Sequence, residues 1–345
     1  MSVRLRILAA AALLGLGLSG CLGFHPGPSP DEPKAGPLGP MTWKTVEGAR
    51  VRYVDLAPTE VDSGTPVVFI HGFAAVLESF LPVIQEVRKN HRVIAMDLKG
   101  FGLTDRPEGD YSPPAQAKLV TGLMDQLGVE KADLVAHSWG SSIALQIALD
   151  DPARIGKIAL YDAWVYEEQI PTFFLWSRAD GIGEALFSLY YDELPDEKIA
   201  LGFYDKSLVT EALVEGVEKE LEAPGNTAAA LAAVRGQRYA EVQKRYPTIQ
   251  QPVLLLWGRE DKVTTLNFGE RLSKELPNAR LVVYPQCGHF PMIEAVAPST
   301  REVVAFLAAV PAPAANPPKP IATPVPAPAP NATDGAAPPP DGASK

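Results

Sequence analysis

Short apolar runs alternate along this chain with stretches whose apolar residues recur every three or four positions. Val51–Leu56, Pro66–Ile70, Arg92–Met96, Asp133–His137, Lys157–Tyr161, Val253–Trp257 and Arg280–Tyr284 have the length and β-branched content of strands. Leu77–Lys89, Pro113–Leu127, Trp139–Leu149, Leu266–Leu276 and Thr300–Ala309 carry helical spacing and fall between or after those runs. The strand runs are apolar at nearly every position, so both faces of their sheet must be covered. That predicts an α/β fold with a mostly parallel sheet and helices on both faces. Residues 163–246 are too long for one crossover and are helical in pattern (EALFSLYYDEL, LVTEALVEGVEKELE, AAALAAVRGQRYAEVQ). They hold 12 of the chain's 27 aromatic residues. We expect a lid there, over the carboxyl ends of the strands, where open α/β sheets bind ligands.

The pattern changes at both ends. Residues 1–20 (MSVRLRILAAAALLGLGLSG) join a basic start, Arg4 and Arg6, to an apolar run. The run is shorter than the ~20 residues that span a bilayer, so it reads as a secretory signal segment. Its end, Leu18-Ser19-Gly20-Cys21, resembles the lipobox of bacterial lipoproteins. The resemblance implies cleavage before Cys21, a lipid on its thiol, and anchoring in the bacterial cell envelope. Leu22 rather than Asp follows, which favours the outer membrane where there are two. Residues 21–41 are rich in Pro and Gly and read as a tether. Residues 311–345 hold 12 of the chain's 34 prolines and no aromatic residue, so a polyproline II tail is expected. The folded domain is expected over 42–310.

Composition narrows the function. With 46% hydrophobic residues among 345, the chain is not disordered throughout. A net charge of −10 without a basic run is the wrong electrostatic footprint for nucleic acid. Two cysteines build neither a disulfide scaffold nor a Cys-rich metal site, and Cys287 has no partner if Cys21 carries lipid. The His, Asp and Glu residues show no metal-ligand spacing, and no glycine-rich phosphate loop follows a first strand. No cofactor and no metal are expected.

Three loops carry the candidate chemistry. In Val135-Ala136-His137-Ser138-Trp139-Gly140-Ser141 a serine joins a strand to a helix. Such a turn is sharp, so it needs small residues two before and two after the serine, here Ala136 and Gly140. It lifts the hydroxyl above the sheet and aims a helix N-terminus at it. Asp261 follows the next-to-last strand and His289 the last one. A nucleophilic serine needs a base, and the base needs a carboxylate to fix its tautomer.

The order Ser, Asp, His in these contexts resembles the α/β-hydrolase superfamily over roughly 42–310. His71-Gly72-Phe73 matches that family's oxyanion turn, and Asp97 to Pro107 (DLKGFGLTDRP) its glycine-rich loop. The resemblance implies an eight-stranded, mostly parallel sheet with a helical lid over 163–246. It assigns Ser138 as nucleophile, His289 as base and Asp261 as orienting acid. The N–H groups of Phe73 and Trp139 would form the oxyanion hole. Asp162, ending the strand after the elbow, is the alternative acid, because some relatives place theirs there. The His-x-Trp-Gly surround is also similar to haloalkane dehalogenases and epoxide hydrolases, whose middle residue is Asp. Serine at 138 argues instead for acyl transfer. Proline iminopeptidases share Ser-Trp-Gly-Ser, but Gly72 here leads into Phe73-Ala74-Ala75 rather than a glycine- and proline-rich loop.

Other residues read more plainly. His71 braces the oxyanion turn, while His137 faces the other side of its strand and packs. Cys287 is a small packed residue. Trp164, Phe173, Phe174, Trp176, Tyr190 and Tyr191 line either an apolar substrate pocket or the lid's own core. The expected function is hydrolysis of a small, apolar carboxylic ester, or an amide, thioester or lactone, through an acyl-enzyme on Ser138. A carbon–carbon bond hydrolase with the same triad is the alternative, as is a binding lipoprotein that kept the fold without its chemistry.

Overall fold

The computed structural model describes Gly27 and residues 35–309. The signal segment, Cys21, most of the tether and the Pro/Ala tail lie outside the described residues. Eight strands form one sheet: β1 Thr42–Val46, β2 Ala49–Leu56, β3 Val67–Ile70, β4 Val93–Met96, β5 Ala132–His137, β6 Ile155–Tyr161, β7 Val253–Gly258 and β8 Ala279–Tyr284. Their order is β8-β7-β6-β5-β3-β4-β2-β1. β1 pairs antiparallel with β2, and β2 antiparallel with β4; the other pairings are parallel. This is the α/β-hydrolase arrangement. β1 was missing from the apolar pattern because it is an edge strand whose residues are mostly exposed or half-buried.

The all-apolar strands are explained by cover on both faces. β3, β4, β5 and β7 have every residue buried. On one face α2 (Pro113–Gln126) and α3 (Trp139–Asp150) bury Leu119, Val120, Leu123, Ile143 and Ile147. On the other, α1 (Leu81–Val87) and the C-terminal helix (Val296–Ala308) bury Val83, Ile84, Val87, Val303 and Leu307. Helix α2 begins where the sequence requires it. Ser112 accepts from Ala115 N–H, and Pro113 takes the first helical position, where no N–H is needed.

Between β6 and β7 the chain is helical, as its pattern indicated, but more finely divided. Five helices run in order: α4 Thr172–Ser177, α5 Ile182–Tyr190, α6 Pro195–Gly202, α7 Glu211–Leu221 and α8 Asn226–Gly236. The apparent single helix over 184–194 stops at Tyr190. Leu194 adopts a left-handed φ of 53°, and Pro195 opens the next helix. The run 228–243 also breaks, at Gly236, where a Cβ would stand 2.6 Å from the Ser112 backbone. We call this insertion the cap. No helix among the described residues is long and apolar enough to cross a membrane.

Candidate active site

The sheet order reverses direction beside β3, with β4 on one side and β5 on the other, which makes the carboxyl ends of β3 and β5 the ligand crevice. Phe73 follows β3, and Trp139, directly after Ser138, follows β5, so the two candidate oxyanion donors flank that crevice. Asp162, Asp261 and His289 arrive from the ends of β6, β7 and β8.

Ser138 has φ 49° and ψ −122°, a left-handed conformation unusual for a residue with a side chain. It places the serine at the N-terminus of α3. The tight turn is possible because α3 lies against the end of β3: a Cβ on Gly140 would be 2.4 Å from the carbonyl oxygens of Ile70 and His71. Gly72 is confined similarly, 3.0 Å from His137 Nδ1 and 3.1 Å from Ser138 Cβ. Neither the Phe73 nor the Trp139 N–H is engaged by a backbone carbonyl of the described turns. His71 braces this corner. Its Nδ1–H donates to the Gly72 carbonyl at 2.8 Å, and its Nε2 accepts from Leu98 N–H at 2.8 Å. Burial lowers its pKa, which keeps the ring in this neutral, two-way bonded form.

His289 Nδ1 lies 2.8 Å from Asp261 Oδ2. A carboxylate accepts, so Nδ1 carries the proton and Nε2 keeps its lone pair. Asp261 is itself fixed by Val263 N–H at 2.7 Å, Thr264 N–H at 3.0 Å and Thr264 Oγ1 at 2.6 Å. Burial pushes this carboxyl up, but the His289 ring and these donors outweigh burial and hold it below the usual range. Ser138, Asp261 and His289 are only 6%, 4% and 5% exposed. The Ser138 hydroxyl has no hydrogen-bond partner among the described residues.

Asp162 is brought into the same cluster without the same bonds. Ligand atoms of Asp162, Asp261 and His289 lie within 4.8 Å of one another. Asp162 Oδ1 accepts Gly258 N–H at 2.9 Å, while its Oδ2 has no partner. Burial, then the Asp261 charge, pushes its carboxyl well above the usual range. The His289 ring nitrogen is bonded to Asp261, not to Asp162.

Sequence reasoning missed several neighbours. His137 does more than pack: its ring lies 4.7 Å from that of His289, and its Nε2–H donates to the His289 carbonyl at 2.9 Å. Thr264 and Glu294 carried no motif and were not singled out. The cap aromatics divide between the two readings left open. Phe174 and Tyr191 approach the Phe73 ring at 5.6 and 6.4 Å, Phe173 stacks on Phe187 inside the cap, and Trp176 is 63% exposed. Cys287 is buried, and burial pushes its thiol up, away from nucleophilic form. A cavity of about 20 Å³ borders the oxyanion turn at Ala74 and Ala75 and the cap at Glu220 and Asn226. It has room for one water.

Comparison with known proteins agrees with this architecture. A family model described as the alpha/beta hydrolase fold matches residues 65–203 and 218–296. The chain is 29% identical to a 2-hydroxy-6-oxo-2,4-heptadienoate hydrolase of Pseudomonas putida, over 72% of this chain and 91% of that one. It is 32% identical to a 2-hydroxy-6-oxononadienedioate/2-hydroxy-6-oxononatrienedioate hydrolase of Comamonas testosteroni, over 64% of this chain and 79% of that one. Among solved structures, a variant of the meta-cleavage product hydrolase CumD superposes with a TM-score of 0.64 at 28% identity, covering 77% of this chain and 97% of that one. Since the family model spans more than half of the chain and the sheet order is that of the fold, the chain belongs to the alpha/beta hydrolase fold family.

Proposed function

We propose that this protein is a serine hydrolase that cleaves a small, apolar carboxylic ester through an acyl-enzyme on Ser138. The observation that carries the reading is the buried pairing of His289 Nδ1 with Asp261 beside a serine held in a left-handed elbow. Ser138 Oγ attacks the carbonyl carbon as His289 Nε2 takes its proton. The developing oxyanion takes the N–H groups of Phe73 and Trp139 at the positive end of α3. Collapse expels the alcohol, which receives the proton from His289. A water deprotonated by His289 then attacks the acyl carbon and releases the acid. Asp261 stays ionised throughout and stabilises the imidazolium.

A second reading is hydrolysis of a carbon–carbon bond, which uses the same three side chains. Its support is the set of relatives whose names specify dienoate and dienedioate substrates. Those substrates carry carboxylates, and a buried carboxylate needs a cation. The guanidiniums packed into the cap and its seam are already held by acids: Arg106 by Glu220, Arg178 by Glu167 and Arg235 by Glu184. Residues 180–222 contribute twelve acidic side chains and three lysines, a net charge of −9 against −10 for the whole chain. Both features favour a neutral substrate, so the ester is preferred. We further propose that a lipid on Cys21 holds the enzyme at the cell envelope.

The test treats the full chain with a fluorophosphonate and maps the adduct, then compares p-nitrophenyl esters with 2-hydroxy-6-oxo-6-phenylhexa-2,4-dienoate. A Ser138 adduct with ester turnover abolished in Ser138→Ala is expected. A folded protein that turns over the dienoate but no ester would favour the second reading, and unchanged turnover in Ser138→Ala would sink both.

A further inference from the structure

The base is held from the cap. The His289 N–H donates to the Gly202 carbonyl at the end of α6, at 2.6 Å. One residue earlier, the Gly288 N–H donates to Glu294 Oε1 at 2.7 Å. The other oxygen of the same carboxylate, Oε2, accepts Tyr204 N–H at 2.8 Å and Asp205 N–H at 2.9 Å. Glu294 thus takes three backbone donors, one from the histidine loop and two from the cap. Charge-assisted bonds of this kind are roughly twice as strong as neutral ones.

The two segments meet backbone to backbone. A Cβ on Gly288 would stand 2.3 Å from the Gly202 carbonyl oxygen and 2.8 Å from Tyr204 N. A Cβ on Gly202 would stand 2.6 Å from the Phe290 ring. Phe203 and Phe290 close the seam, stacked at 4.7 Å. On its far side the His289 carbonyl is taken by His137. The 202–205 turn is thus tied directly to the backbone of Gly288 and His289.

We infer that Glu294 is a positioning residue that couples the cap to the catalytic base, so that Nε2 is in line only while the cap turn is seated. This rests on the serine-hydrolase reading of Ser138 and His289. A carboxylate that merely capped an exposed turn would affect stability, or substrate capture by the cap, and leave the chemical step alone. The coupling instead predicts an effect on kcat, because a displacement of about 1 Å in such a group lowers rate on the order of 10²-fold.

The experiment compares the full chain with Glu294→Ala, Glu294→Gln and Gly202→Ala, following ester kinetics and amide hydrogen exchange. Glu294→Ala is expected to lower kcat by about 10²-fold with KM little changed. Glu294→Gln, which keeps one accepting oxygen, should recover part of the loss. Gly202→Ala wedges the seam from the cap side with Glu294 intact and should reproduce the kcat loss; it decides the matter if Glu294→Ala does not fold. In the Glu294 variants the amides of Gly288, His289, Tyr204 and Asp205 should lose protection together. A folded Glu294→Ala with unchanged kcat, or with KM alone raised, would overturn the inference. So would separate exchange of the cap and loop amides. A parent chain with no ester turnover and no Ser138 adduct would instead refute the proposed function.

Discussion

Asp162→Asn tests how two neighbouring carboxyl groups divide their roles. With ligand atoms no more than 4.8 Å apart, two negative charges repel by about 3 kcal/mol at an effective dielectric constant near 20. One of the pair therefore keeps a proton. Asp261 receives Val263 N–H, Thr264 N–H, Thr264 Oγ1 and the His289 ring, while Asp162 receives Gly258 N–H alone. Donors stabilise the charged form, so the charge belongs on Asp261 and the proton on Asp162. An asparagine at 162 keeps the acceptor for Gly258 and puts an amide N–H where the acid O–H was.

Two consequences can be measured. Catalysis should be nearly untouched in Asp162→Asn, whereas Asp261→Asn should lower kcat by about 10⁴, as when an orienting carboxylate becomes an amide. Stability should change its pH dependence. An unfolded aspartate ionises near pH 4, but in the folded chain Asp162 stays protonated well above that. The folded state then binds more protons, so stability falls as pH rises from about 4 towards the raised folded value. Asp162→Asn removes that slope: it should match the parent near pH 4 and exceed it in mildly alkaline buffer. Thermal unfolding across this range and turnover of p-nitrophenyl butyrate suffice. A folded Asp162→Asn enzyme that has lost its activity, beside an active Asp261→Asn, would refute the assignment and make Asp162 the orienting acid.

Three other perturbations follow from close contacts and charge. Gly72→Ala puts a methyl 3.0 Å from His137 Nδ1 and should displace the Phe73 N–H, lowering kcat by about 10²–10³ with little change in melting temperature. Retained kcat would remove Phe73 from the oxyanion hole. Gly140→Ala meets two carbonyl oxygens that cannot rotate away and should cost about 1–3 kcal/mol, read as a lower denaturant midpoint. Matched esters with an ammonium or a carboxylate on the acyl chain should differ in kcat/KM, the cation being preferred at low salt and the preference fading as salt rises. Equal rates would mean the acidic cap does not reach the substrate's path.

Where one segment carried both a candidate residue and the turn that presents it, the local geometry was readable in the sequence. The serine elbow contains its own small residues and the oxyanion turn its own brace in His71, whereas the Val263 and Thr264 donors that fix Asp261 left no mark in the sequence. β3, β5 and β7 were legible because burial on both faces leaves an unbroken apolar run, while the exposed edge strand β1 left no such trace. Period-2 geometry assigned His137 to the far side of its strand as a packing residue. It gave no view of what a later loop would bring there, the carbonyl of His289 more than a hundred residues away.

The cap seam was opaque for a different reason. What binds His289 to the cap is the carbonyl of Gly202 and a carboxylate collecting three peptide N–H groups. Peptide groups are identical along the chain, so a hydrogen bond between them imposes no residue type except where crowding demands glycine. Gly202, Gly288 and Glu294 are the marks this contact leaves, and each alone reads as an ordinary helix end, loop glycine or surface acid. The residues of the proposed triad are thus written in side chains, while the seating of His289 against the cap runs through backbone groups and one carboxylate. Changes in the cap that favour another substrate must preserve the Gly202 carbonyl and the Tyr204 and Asp205 N–H positions. Otherwise they alter the base along with the pocket, and a gain in substrate fit would be offset by a loss in kcat.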